Sequence, residues 1–219
     1  MTIRVVPDTW PLAASITSVT EAAVARLELG DRLTSIRLVA DAMGADDRAW
    51  FRLAREGAGW RLDLWFDPEQ VLQDRPGRGP LTPETREWQL GPIPSEADAP
   101  APVEFSAPNA QRFLYQQLML VSDVLDGRLD TTTVPPSLVE AFQEAWVIGI
   151  DGRLQRLGLP HLSAGERRTS FLRLFAPAGI VTPNHWAIFN ALWEGELADQ
   201  VAVLAKVRLL PPLSRRKLP

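Results

Sequence analysis

Few side chains in this sequence could do chemistry. Cysteine is absent, which excludes disulfides, thiolate metal sites and cysteine nucleophiles together. His161 and His185 are the only histidines. They are well separated, and a shared metal site would need carboxylates from elsewhere in the chain. Ser163 or Ser170 with a histidine and an aspartate would make a triad only on paper, because no Gly-x-Ser-x-Gly elbow accompanies them. The nearest approach to a phosphate loop, "RPGRGP", is broken by prolines and lacks the Gly-Lys-Ser/Thr ending. What remains is a polar set in apolar surroundings. Gln116 and Gln117 sit side by side in "RFLYQQLMLVSDVLDG", Asp123 follows them, and Asp151 lies between Gly149 and Gly152. Amides can hydrogen-bond but take no proton at neutral pH, whereas carboxylates can ligate a cation, accept a proton or form an ion pair. As a lone carboxylate Asp151 is expected in a salt bridge, with Arg153 or Arg156 as partner. A further option, acid–base chemistry by Asp123, Asp151 and Glu144, has nothing in the sequence to fix its geometry.

The elements that would position these groups follow from hydrophobic period. "TIRVV" reads as a short strand ended by Pro7. "PLAASITSVTEAAVARLELG" carries Leu12, Ile16, Val19, Ala23 and Leu27 at helical spacing, with Gly30 at the stop position. "TSIRLVAD" alternates Ile36, Leu38 and Ala40 inward as a half-buried strand. "AWFRLAREGAGWRLDLWFD" reads as a hairpin joined through Glu56-Gly57-Ala58-Gly59, with Phe51 and Leu53 on one strand and Trp60, Leu62, Leu64 and Phe66 on one face of the other. A short helical turn begins at Pro68. Between Pro76 and Pro108 lie eight of the nineteen prolines, so the 74–108 stretch is expected to be an irregular surface excursion, with Trp88, Leu90, Ile93 and Phe105 packing down. Everything after it is helical. Helices are expected over about 109–126, over 138–157 closed by Gly158 and Pro160, after the Ser163–Glu166 capping box, from Pro183, and through "ELADQVAVLAKVRLL". Strands first and helices afterwards is the pattern of an α+β protein: a small N-terminal mixed sheet with a helix, then a motif helix and a helical C-terminal part. Residues 1–157 are expected as one α+β domain, and 158–219 as a helical extension packed on the same core. Gly149 and Gly152, inside a helical pattern, suggest a close backbone approach. Trp146, Trp186 and Trp193 fit helix faces that pack.

At 100° steps, Leu114, Leu118, Val121 and Leu125 of the glutamine helix lie together, and Phe113, Leu120 and Val124 widen that arc. Gln117 falls inside it, while Gln116 lies on its border on the side of Asp123. A buried amide must find hydrogen-bond partners or cost about 1–3 kcal/mol. The run also resembles the active-site helix of a bacterial zincin-type metallopeptidase family, in which His-Glu-Leu-x-His is followed shortly by Asp. Aligned so, Leu118 keeps the motif's Leu and Asp123 its trailing Asp. Gln116 stands at the first histidine, Gln117 at the glutamate and Leu120 at the second histidine. "EAWVIGIDGRLQRLG" resembles the helix that follows in such sequences, with Asp151 as candidate third ligand. The resemblance implies a zincin-like fold over 1–157 in which metal ligands and general base are replaced. Two histidines at i and i+4 can hold zinc, and the glutamate works on the metal-bound water. Here a neutral amide, a second amide and a leucine replace them. The expectation is a degenerate metallopeptidase, a pseudoenzyme with no metal and no cofactor, its possible remaining site residues being Asp123 and Asp151.

Composition sets the outer limits. At 219 residues, 46% hydrophobic and 23% charged, the chain is long enough for one sizeable core or two small ones. A net charge of −4 predicts no general attraction to nucleic acid or anionic membrane. No apolar run has the length of a membrane span and the start lacks a signal-peptide pattern, so a cytoplasmic location is expected. Lysine occurs only at Lys206 and Lys217, a bias that suggests a GC-rich bacterial genome. "SRRKLP" reads as a solubilising end. The expected role is a peptide- or protein-binding module, and the rival is a structural or interaction protein unrelated to peptidases.

Overall fold

A computed structural model describes residues 1–41, 49–72, 104–176, 179–197 and 199–210. It shows an α+β protein with one four-stranded mixed sheet and six α-helices. Strands β1 (Thr2–Val6), β2 (Leu33–Ala40), β3 (Trp50–Glu56) and β4 (Gly59–Phe66) stand in the order β1-β2-β4-β3. β1 and β2 are parallel, as are β2 and β4, while β3 pairs antiparallel to β4. The parallel β1–β2 pair requires a crossover, and helix α1 (Ala13–Arg26) lies in that connection. The β3–β4 hairpin turns tightly at Gly57 and Ala58, with Gly57 at φ +61°. The chain leaves α1 through Glu28, in the left-handed region at φ +56°, as the Leu29 N–H returns to the Val24 carbonyl at 3.0 Å. A glutamate thus takes the stop position that the sequence assigns to Gly30.

Period-two alternation divides the sheet's faces. Val5, Ile36, Leu38, Leu62, Leu64 and Phe66 are buried on one face. On the other, Arg4 is in register with Arg37, Arg37 with Asp63, and Asp63 with Arg52. A 3₁₀ turn at Pro68–Val71 follows β4, and Leu72 forms a β-bridge with Phe105. Trp88, Leu90 and Ile93, with most of the proline-rich stretch, lie outside the described residues.

Five further α-helices follow among the described residues: α2 (Ala107–Leu125), α3 (Val139–Arg156), α4 (Ala164–Phe175), α5 (Pro183–Glu194) and α6 (Gln200–Val207). α2 begins two residues before the expected start because Pro108 fits its first turn, where the missing N–H would have no intrahelical partner anyway. α4 opens with the Ser163–Glu166 capping box, and α5 follows Thr182 with Pro183 at its start. α3 packs against α4, α5 and α6. At the α3–α5 crossing a Cβ on Gly152 would lie 2.0 Å from the Trp193 carbonyl oxygen, so only glycine permits this approach. Gly149 sits one turn earlier, where a Cβ would be 3.6 Å from the Leu192 carbonyl. Phe171, Phe175 and Phe189 fill the helical core.

By their contacts, residues 1–18 with 33–110 form one compact unit and 19–32 with 111–219 another. This grouping places most of α2 with the later helices. Among the described residues no helix is long and apolar enough to cross a membrane.

Candidate functional site

The residues singled out by the sequence lie on α2 and α3, and polar side chains join the two helices at two places. Gln116 of α2 meets Asp151 of α3, while Asp123, two turns further on, meets Trp146. Gln116, Leu120 and Asp123 therefore occupy one stripe of α2, four and then three residues apart. Gln117 is displaced from that stripe. It is buried, and its carbonyl oxygen has no hydrogen-bond partner among the described residues. The projection is thus correct in placing Gln117 inside the apolar arc and Gln116, half-buried, on its border.

Two buried carboxylates form two separate polar nodes. At the first, fully buried Asp151 accepts from the Gln116 amide at 3.3 Å, from the Leu162 N–H at 3.2 Å, and from Nε of Arg167. Arg167 is itself buried, and its Nη1 lies 4.0 Å from Glu144 Oε1. Burial pushes the Asp151 carboxyl above the usual carboxylate range, against the opposing pull of Arg167, the Leu162 N–H and His161. At the second node, Arg153 forks onto both oxygens of Asp123, with Nη1 at 2.7 Å from Oδ1. The Trp146 indole donates to Oδ2 at 3.0 Å, and Arg128 Nε approaches Oδ1 at 3.7 Å. Arg128 also holds Asp126 at 2.5 Å, and Arg32 holds it at 2.7 Å.

The expected partners of Asp151 need correction. Arg153 serves Asp123 instead, with both of its terminal nitrogens on that carboxylate. Arg156 turns away and donates to the Trp193 carbonyl at the end of α5, at 2.5 Å. Arg167 was legible in principle. It precedes Phe171 and Phe175 by one and two helical turns, so a guanidinium stands on the buried face of α4, as anomalous there as Gln117 is on α2.

This arrangement can do little acid–base or metal chemistry. Each aspartate is held by a guanidinium, and the nearby Gln116 and Leu120 add no strong metal ligand. Among the described residues no three His, Cys, Asp or Glu side chains converge as a metal site. The histidines are structural and separate. His185 accepts at Nδ1 from the Thr182 N–H at 3.1 Å, so its Nε2 donates to the Phe175 carbonyl, also at 3.1 Å. His161 lies 2.7 Å from the Leu159 carbonyl through Nδ1 and is edge-on to Trp193. Trp146 and Trp193 are core residues, and Trp186 packs edge-on against Phe189.

An open cleft of about 450 Å³, open solvent included, is lined by Trp146, Arg153, Arg156, Leu192 and Val203 among others. Its arginines are already engaged, by Asp123 and by the Trp193 carbonyl. No family model, no curated protein and no solved structure matches the chain.

Proposed function

We propose that this chain is a catalytically silent, zincin-like protein that binds a peptide or protein partner. One observation carries the reading. Gln116 and Asp151, the positions of a first and third metal ligand in the resembled motif, touch each other, and the cation on Asp151 is the Arg167 guanidinium. A buried guanidinium on that carboxylate supplies the positive charge that a metal would otherwise supply there. It can neither activate water nor polarise a carbonyl as a Lewis acid does. The amides at 116 and 117 and the leucine at 120 fit the same loss of function. A fold with its catalytic groups replaced retains only its surfaces, and binding is what surfaces do.

The test is metal content and peptide hydrolysis of protein purified without chelators and then offered zinc. The expected result is no stoichiometric zinc and no cleavage. One tightly held zinc per chain, or hydrolysis that a chelator abolishes, would overturn the proposal.

A further inference from the structure

The chain as a whole is acidic, yet one face of its sheet is not. Across that face Arg4, Arg37, Asp63 and Arg52 stand in register on four successive strands. Strands are spaced about 4.8 Å apart, so the row spans roughly 14 Å. Arg61, two residues before Asp63 on β4, adds a fourth guanidinium. Arg37, Arg52 and Arg61 all surround the buried Asp63, at 3.4, 3.0 and 3.6 Å. One carboxylate thus serves three cations, each of which keeps 42–58% of its side chain exposed. Arg4 lies opposite Arg37 and has no carboxylate partner among the described residues. Like charges directly paired across strands are destabilising unless an anion is supplied. Glu56, at the hairpin end, accepts hydrogen bonds from Thr34 and Ser35.

Beside the row stands an aromatic platform. Trp50 and Trp65 are stacked at 3.7 Å between centroids and 6° between planes. Arg37 and Arg52 both lie 5.7 Å from the Trp65 ring. Trp50 is 47% exposed, with Trp65 covering one of its faces. Tryptophan and arginine are the residues that carry most energy at protein interfaces, and the guanidinium fork matches carboxylate geometry.

We infer that this sheet face docks a short acidic segment of a partner protein, its carboxylates on the arginine row and an apolar or aromatic side chain over Trp50. The inference rests on the binding reading above and supplies its location and chemistry. Charge complementarity selects the occupant. An acidic segment feels the local field within a Debye length of about 8 Å, whereas a long polyanion such as nucleic acid must also approach the acidic remainder of the chain.

The test uses the full chain and a labelled peptide, acetyl-Glu-Asp-Phe-Glu-Asp-Leu-Glu-amide, against its Gln/Asn counterpart and an oligothymidylate of equal charge. Anisotropy reports affinity, and the indole ¹⁵N–¹H resonances of Trp50 and Trp65 report the place. The acidic peptide should bind at least about tenfold tighter than the neutral one and weaken severalfold from about 50 to about 300 mM salt. R4E alters an exposed side chain with no carboxylate partner among the described residues and should keep the wild-type melting temperature, whereas W50A gives up its stack on Trp65 and should lower it modestly. Both should weaken binding about threefold or more. Equal binding of the two peptides, tighter binding of the oligothymidylate, or wild-type affinity in R4E and W50A would each overturn the inference. Peptide bound elsewhere would remove this face but leave the non-catalytic binding reading intact. Cleavage of the peptide would do the reverse.

Discussion

Gly152→Ala examines the helical unit at its tightest point. A Cβ at this position would meet the Trp193 carbonyl oxygen at 2.0 Å, its carbon at 2.9 Å and its Cα at 3.1 Å. Carbon–oxygen contact needs well over 3 Å, so α5 must retreat by roughly 1 Å or more, and the obstacle is backbone, which has no rotamer to change. The retreat strains the Arg156 bond to that same carbonyl and loosens Phe189 and Leu192, which are fully or almost fully buried. Overpacking costs about 1–3 kcal/mol where side chains can yield and more where they cannot; against this, alanine gains about 1 kcal/mol of helix propensity. The expected net loss is about 2–3 kcal/mol, or a melting temperature lower by roughly 5–10 °C for a chain of this size. Gly149→Ala is the internal control. Its Cβ would sit at an ordinary 3.6 Å from the Leu192 carbonyl, so the propensity term prevails and stability should rise by up to about 1 kcal/mol. Urea unfolding of both variants and wild type decides the matter. If G152A is as stable as G149A, the close α3–α5 crossing is wrong.

Two further predictions concern Asp151. Arg167→Met leaves a fully buried carboxylate without its guanidinium, which should cost about 3–5 kcal/mol at neutral pH. The folded-state pKa of Asp151 is already raised by burial, and removing Arg167 raises it further, so stability from this group is present at low pH and lost as pH rises through that pKa. The R167M deficit should therefore shrink on going from pH 7 toward pH 5, and a deficit independent of pH would contradict a charged, desolvated Asp151. The triple variant Q116H/L120H/R167Q places two imidazoles at i and i+4 and releases Asp151, whose oxygen lies 3.3 Å from the residue 116 amide. It should take up one zinc per chain by metal analysis. A folded triple variant that takes up none would show that positions 116, 120 and 151 do not face one metal.

Much of the fold could be read from hydrophobic period and end signals. The alternation Ile36, Leu38 and Leu62, Leu64, Phe66 marks the buried sheet face, and the Ser163–Glu166 box and Thr182-Pro183 mark helix starts that the structure keeps. The paired glycines of α3 signalled the close approach that Gly152 makes. What the sequence hides is pairing between elements. Strand order β1-β2-β4-β3 rests on long-range contacts, and nothing local distinguishes it from other orders. Gly30 was the natural helix stop on conformational grounds, but the chain turns two residues sooner at Glu28, where the Leu29 bond to Val24 fixes the left-handed position. Arg153 was a near neighbour of Asp151 in sequence, yet residues two apart on a helix face different ways, and its true partner Asp123 lies on another helix.

The distribution of charge connects these observations. A net charge averaged over 219 residues predicts no attraction for anions, and that average conceals a segregation that appears only when strands are set in register. Within the helical unit, Asp123 and Asp151 are each closed off by a guanidinium at full burial, so their charges are spent on holding α2, α3 and α4 together. On the sheet the ratio is inverted: three guanidiniums share one buried Asp63, a fourth has no carboxylate partner among the described residues, and all remain open to solvent. Electrostatic free energy that is already satisfied internally offers a partner nothing, whereas unsatisfied positive charge next to an exposed indole is lowered by the first suitable anion that arrives. The motif helix that first draws attention is therefore the less promising place to look for activity, and the arginine row across the sheet is the more promising one.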